Sequence, residues 1–201
     1  MRINIKGILK HLVKRVLLAL GVILVLPLIA LNWFEYWLSA GKSERFYILG
    51  KELLSVFPTF VGEFLRLSYY CCCCSGVSPD VCFMLGSVLA HREVVIGSGT
   101  VIGYYSIIGK AEIGENVLIA PHVSVLSGKY QQGQPSDRRE GKFGEGYYQT
   151  VHIGRNSWIG QCAIIMAEVG ENCTVGSGSV VCKKVEDNTT VMGNPARKVS
   201  Y

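Results

Sequence analysis

From about residue 90 to 185 an aliphatic residue, usually followed by a small one, returns every six positions. Ile96-Gly97, Ile102-Gly103 and Ile108-Gly109 stand six apart, and after a five-residue step come Ile113-Gly114, Ile119-Ala120 and Val125-Leu126. The rhythm resumes with Ile153-Gly154, Ile159-Gly160 and Ile165-Met166, then Val169-Gly170, Val175-Gly176 and Val181-Cys182. A helix would repeat near 3.6 and an ordinary strand at 2. A repeat of six with small residues behind each aliphatic predicts a solenoid of very short strands joined by tight corners. The aliphatic fills a narrow core, and the small residue lets the backbone turn.

The N-terminal third follows other periods. Residues 16–31 are apolar without a charge, interrupted only by Pro27, and Asn32-Trp33-Phe34-Glu35-Tyr36-Trp37 adds aromatics of the kind that gather at a lipid–water boundary. The pattern predicts a membrane-embedded helix within 1–40. Sixteen apolar residues are short for a full crossing, and no small-x-small site marks a cleaved leader. Leu49, Leu53, Phe57, Phe60, Phe64 and Leu67 then recur at helical spacing, with Lys51, Glu52, Glu63 and Arg66 largely opposite. This predicts one amphipathic helix over 46–67, able to lie in an interface or to cap the open end of the solenoid. The chain divides into 1–40, a capping segment 41–75, and a β-helix domain 76–201 whose rhythm is broken by a polar, glycine-rich loop at 126–151.

Charge sharpens this division. Arg2, Lys6, Lys10, Lys14 and Arg15 precede any acid, and the rest of the chain balances 15 basic against 15 acidic residues. The basic balance therefore suits an anionic membrane surface and gives no basic stripe for nucleic acid. Of eight cysteines, four are consecutive at Cys71–Cys74, and Cys162, Cys173 and Cys182 fall inside the repeat. Such placement reads as free thiols in a reducing compartment. The run Cys71–Cys74 is open to two readings, palmitoylation or packing against the first coil.

The motifs Ile153-Gly-Arg-Asn-Ser-Trp-Ile-Gly160, Val175-Gly-Ser-Gly-Ser-Val-Val181 and Gly193-Asn-Pro-Ala-Arg197 resemble the hexapeptide-repeat acyltransferases, over about residues 90–199. Galactoside and maltose O-acetyltransferases form the branch they resemble. The resemblance implies a mainly β fold, a left-handed parallel β-helix assembled as a homotrimer. It also implies acetyl-coenzyme A or another acyl-coenzyme A as co-substrate, with no metal. Trp158, the Ser177-Gly178-Ser179 corner, Lys183, Lys184 and Arg197 stand where the family holds the pantetheine arm and phosphates. The family's extended loop, which reaches a neighbouring subunit's active site, corresponds to 126–151.

Acyl transfer to a hydroxyl needs a base, and histidine suits that task near neutral pH. The positions where the family writes its catalytic histidine are Tyr130 and Gln132 here, and neither is a base near neutrality. Of the four histidines, His11 lies in the basic tip and His91 precedes the first clear hexad. His122, at a corner before the loop, is the expected base, and His152, directly after the loop, is the runner-up. The expected activity is O-acylation of a sugar or lipid-linked glycan at the cytoplasmic face of a membrane, in polysaccharide biosynthesis. Two alternatives are a non-catalytic membrane scaffold and a metal hydratase resembling γ-carbonic anhydrase, built on His91, His122 and His152. For topology, a bend near Pro27 is expected to return the chain to the face it entered, leaving both termini in the cytoplasm.

Overall fold

The computed structural model describes residues 5–127 and 149–199, with side chains from residue 12 onward. Three helices, α1 (Ile5–Ser39), α2 (Arg45–Ser55) and α3 (Thr59–Cys73), precede a parallel β-solenoid of about five turns.

Its strands form three sheets. Sheet A stacks β1 (Gly76–Val77), β4 (Val94–Ile96), β7 (Ala111–Ile113) and β10 (Val151–Ile153), and single bridges at Val169 and Val185 extend it. Sheet B stacks β2 (Cys82–Phe83), β5 (Val101–Ile102), β8 (Leu118–Ile119), β11 (Trp158–Ile159), β13 (Thr174–Val175) and β15 (Thr190–Met192), and β16 (Arg197–Lys198) closes it antiparallel to β15. Sheet C stacks β3 (Val88–Leu89), β6 (Ile107–Ile108), β9 (Ser124–Val125), β12 (Ile164–Ile165) and β14 (Val180–Val181). The hexad rhythm is thus one side chain per face per coil. Ile96, Ile113 and Ile153 fill the core from sheet A, Ile102, Ile119 and Ile159 from sheet B, and Ile108, Val125 and Ile165 from sheet C, all at most 2% exposed. Each such aliphatic contributes roughly 1.5–3 kcal/mol by leaving water.

The corners explain the residues between. At the A/B edge a left-handed residue recurs in every coil after the first: Gly99, Asn116, Asn156, Asn172 and Asn188, with φ between 52° and 75°. Asparagine tolerates this region, and its amide adds a second function. The side chains form a ladder in which Asn116 donates to Asn156 at 3.4 Å, Asn156 to Asn172 at 3.1 Å and Asn172 to Asn188 at 3.2 Å. The residue after the left-handed turn points inward, and where it carries a hydroxyl it stitches two coils. Ser157 Oγ donates to the Gly170 carbonyl and accepts from the Cys173 amide.

The helices cover the first coil. Buried Arg66 of α3 donates to the carbonyls of Phe83, Leu54 and Phe57, tying β2 to the end of α2. Arg92, between β3 and β4, donates to Asn32 Oδ1 and Glu35 Oε2 of α1. Two expectations change here. The predicted helix over 46–67 is two helices, because Pro58 cannot continue α2 and the chain turns there to start α3. The expected bend at Pro27 does not occur: α1 continues through it, and the reversal comes at Ala40 and Gly41, both at positive φ. Cys71–Cys74 end α3 beside the first coil, with Cys73 buried and Cys74 Sγ 3.4 Å from the Tyr47 hydroxyl. Burial pushes the Cys71 and Cys74 thiols up to about 12, as expected of packed rather than reactive sulfur.

Candidate active site

Each sequence-predicted residue has a definite place on the triangular prism. His122 occupies the B/C edge, where the left-handed column reads Gly86, Tyr105, His122, Cys162 and Gly178. Its backbone amide donates to the Tyr104 carbonyl at 2.8 Å, fixing the corner. The imidazole is exposed and stacks on the Tyr105 ring at 5.4 Å between centroids and 15° between planes. Ser177 and Gly178 form the corner of the same edge two coils along, about 10 Å away at the usual spacing between paired strands. Both are exposed, and Gly178 is surrounded by open space on the side where a Cβ would stand. Cys162, also exposed, lies between them. One edge of the solenoid therefore presents an imidazole, a thiol and a small-residue turn.

Ser179 belongs to a different class of residue. It is fully buried, and its hydroxyl accepts the Gly193 amide at 3.0 Å, so it stitches the terminal coil from within. Trp158 projects from sheet B, 42% exposed, between Leu118 and Thr174 in register. Exposed Arg197 is paired with Met192 on the antiparallel edge of the same sheet. Exposed Lys183 sits at the C/A corner, so within one chain it and Arg197 are not brought together. Tyr130 and Gln132, like most of the loop 126–151, lie outside the described residues.

His152 sits on a separate face. It projects from β10 of sheet A opposite Glu112 of β7, with Nδ1 3.3 Å from Glu112 Oε2. Along the same outward face, one coil on, Lys184 pairs with Glu168 at 3.3 Å. A shallow groove of ≈ 590 Å³ runs over these residues, lined by Glu112, His152, Arg155, Glu168, Glu171 and Lys184 among others. The Glu168 carboxylate raises the affinity of Lys184 for its proton by hydrogen bonding and charge. His91 is elsewhere again, with Nδ1 3.0 Å from Glu44 Oε2 at the junction of cap and solenoid. The three histidines of the hydratase alternative thus stand on an edge, a face and a junction of one chain. Among the described residues no group of His, Cys, Asp or Glu is placed to hold a metal ion.

The partners of these residues were not readable from the sequence. Glu112 faces His152 only because of the coil register, and Tyr105 reaches His122 only because both occupy the left-handed corner. A signal for the second was present, since positions equivalent by period can be aligned coil against coil.

Solved structures bring a parallel answer. A maltose O-acetyltransferase from Clostridium difficile 630 superposes with a TM-score of 0.68 at 28% identity, over 78% of this chain and 85% of that one. A hexapeptide-repeat-containing acetyltransferase from Vibrio cholerae superposes with a TM-score of 0.59 at 20% identity, over 76% of this chain and 86% of that one, a likeness of fold alone. No protein-family model matches the chain, and no curated protein matches it. The structural neighbours of this β-solenoid are hexapeptide-repeat acetyltransferases.

Proposed function

We propose that this chain transfers an acyl group, acetyl first among the candidates, from coenzyme A to a hydroxyl of a sugar or lipid-linked glycan. We place the reaction at the cytoplasmic face of a membrane, in polysaccharide biosynthesis. That the chain is an acyltransferase rests on its likeness to the maltose O-acetyltransferase over most of both chains. The observation that carries the site is the B/C edge, where His122 and the Ser177-Gly178 turn stand together. His122 acts as general base, taking the proton of the acceptor hydroxyl as its oxygen bonds the thioester carbon. The carbon–sulfur bond then breaks, and the proton passes to the departing thiolate. Backbone groups of the Ser177-Gly178 turn hold the pantetheine arm, Trp158 packs beside it, and Lys183, Lys184 and Arg197 supply cations for its phosphates.

A homotrimer gives the donor its second wall. Leu118 and Trp158 on sheet B and Ile107 on sheet C are 42–48% exposed, an apolar surface suited to a neighbouring copy. In such an assembly Lys183 of one subunit and Arg197 of another can approach one cofactor. The cytoplasmic side is supported by the basic N-terminus, suited to an anionic inner leaflet, and by eight cysteines that form no disulfide. Following thiol release from acetyl-coenzyme A in the presence of membrane glycan extract tests the reading. Acceptor-dependent release is expected, and its absence with both glycan extract and free sugars would leave the chain a scaffold.

A further inference from the structure

Helix α1 is amphipathic in an inverted sense. Its polar groups face the protein: Lys14 donates to Asp80 at 2.8 Å, Asn32 accepts from Arg92 at 2.8 Å, and Glu35 accepts from Arg92 at 3.1 Å. Its opposite side is apolar and exposed, with Val16 51%, Ile23 65%, Leu24 70%, Phe34 57%, Trp37 79% and Leu38 70% accessible, and among the described side chains no charged residue after Arg15 lies on that side. The helix is long and apolar enough to cross a membrane, with a mean hydropathy of 2.5 over its best window and only 22% of it buried.

The contacts decide against a crossing. Asp80 and Arg92 both belong to the first coil, yet they hold α1 at points separated by about 32 Å of helix. Between them Ser68 of α3 donates to the Leu18 carbonyl, Trp33 donates to the Cys72 carbonyl, and Gly21 lies so close to Ser68 that an added Cβ would fall 2.3 Å from its hydroxyl. A bilayer's hydrocarbon is about 30 Å thick. If α1 crossed it, α3 and the first coil would have to cross alongside, taking the ion pairs with them, at several kcal/mol per buried charge.

We propose that the three-helix cap docks flat on an anionic lipid bilayer, with the α1 axis in the plane of the membrane surface and the solenoid standing off one face. This deepens the membrane association of the proposed function and rests on it. The occupant is a bilayer because the apolar face is flanked by matching charge. Arg2, Lys6, Lys10 and Arg15 precede it for anionic headgroups, and the well-exposed Trp37 ends it with an indole suited to the interface. The elbow between α2 and α3 also leaves apolar side chains exposed on the cap, at Val56, Phe57, Phe60 and Val61. Both termini of α1 lie on one side in this arrangement, without the bend at Pro27.

The test uses the full chain on vesicles of phosphatidylcholine and phosphatidylglycerol containing lipids brominated at defined acyl depths. With Trp33, Trp37 and Trp158 replaced by Phe, single tryptophans at Val16, Ile23 and Leu38 report depth by quenching. Equal, shallow depths at all three are expected; a deep Ile23 between two shallow ends would show a span and overturn the proposal. If the tryptophan-free chain does not fold, vesicle binding of Ile23→Glu in the natural chain decides. Its partition should fall roughly tenfold or more with unchanged thermal unfolding, and unchanged partition overturns the proposal. Absence of vesicle binding, with a larger particle in solution, would assign the face to a second copy instead. Thiol release with a water-soluble acceptor, measured on the natural chain and on Ile23→Glu, both of which keep Trp158, separates failure of docking from failure of the acyltransferase reading.

Discussion

In the solenoid the core positions and the corner hydrogen bonds recur from coil to coil, whereas in the cap a few side chains each carry several contacts that occur once. The asparagine ladder spreads its hydrogen bonds over four residues, so losing one rung leaves the others. Arg92 alone joins Asn32, Glu35 and the Ser43 carbonyl while lying within 5.7 Å of the Tyr36 and Tyr47 rings. Repetition makes a region tolerant and uniform, and convergence on one residue makes it fragile and specific. The proposed sites follow the same division: the catalytic candidates stand on the repetitive part and the proposed membrane face on the convergent part.

The largest break in this contrast should come from Arg92→Ala. It removes the cation beside Glu35 and the donor to Asn32, which costs about 3 kcal/mol, the low end for a broken buried pair, because the Ser43 hydroxyl and the Arg45 and Phe46 amides still bond the carboxylate. Hydrogen exchange should show α1 and the start of α2 opening while β11 to β14 stay protected. Uniform loss of protection would mean that cap and solenoid form one cooperative unit. Next in size, His122→Ala is expected to lower turnover about 10²-fold, the low end for removing a general base, with donor affinity nearly unchanged. The same loss in His152→Ala instead would move the base to the sheet A groove, where Glu112 orients the ring.

A rung of the ladder gives a smaller effect. Asn172→Ala keeps a left-handed φ of 52° without the side chain that tolerates it, costing roughly 1–2 kcal/mol. Asn172→Gly should recover most of that by thermal unfolding, because glycine has no Cβ to strain. If Gly is no better than Ala, the amide ladder rather than the backbone carries the stability.

The smallest effect is a pH dependence of the cap. Burial raises the pKa of Glu44, but hydrogen bonds from His91 and the Arg92 amide, with their charges, outweigh it and leave the group below its ordinary 4.5. A carboxylate depressed by folding stabilises above its unfolded pKa, and that contribution fades as pH falls through the lower folded value. Cap protection should therefore hold from neutrality down to about pH 4.5 and weaken below it, with Glu44→Gln flattening that part of the curve.

How far the chain could be read from its sequence follows the same line between repetition and convergence. Ile96, Ile102 and Ile108 announce their own burial because the period puts one on each face, and the corners at Asn116, Asn156 and Asn172 are equally periodic. Arg92 and Glu35 are 57 residues apart with no period between them, and nothing local distinguishes Glu35 from an aromatic-belt neighbour. The site was legible in part. His122 could be placed at an outward corner from Pro121 and the hexads, but Ser179 could not be told from Ser177 without knowing that the residue after a left-handed corner points inward. Pro58 carried the information that splits 46–67, and the hydrophobic spacing across it concealed the break.

The neck of the inserted loop has a consequence for how such a chain can change. Ala111 pairs with Val151 across forty residues, where adjacent coils otherwise pair across 16 to 19, and the Gln149 amide closes onto the Ser127 carbonyl at 2.9 Å. Loop closure grows only with the logarithm of length, so the longer connection costs about 0.8 kcal/mol more than a coil of 17. Register is held by the coils above and below, independently of what the neck encloses. The edge bearing His122 is built by that register, so a change inside the neck leaves its geometry in place.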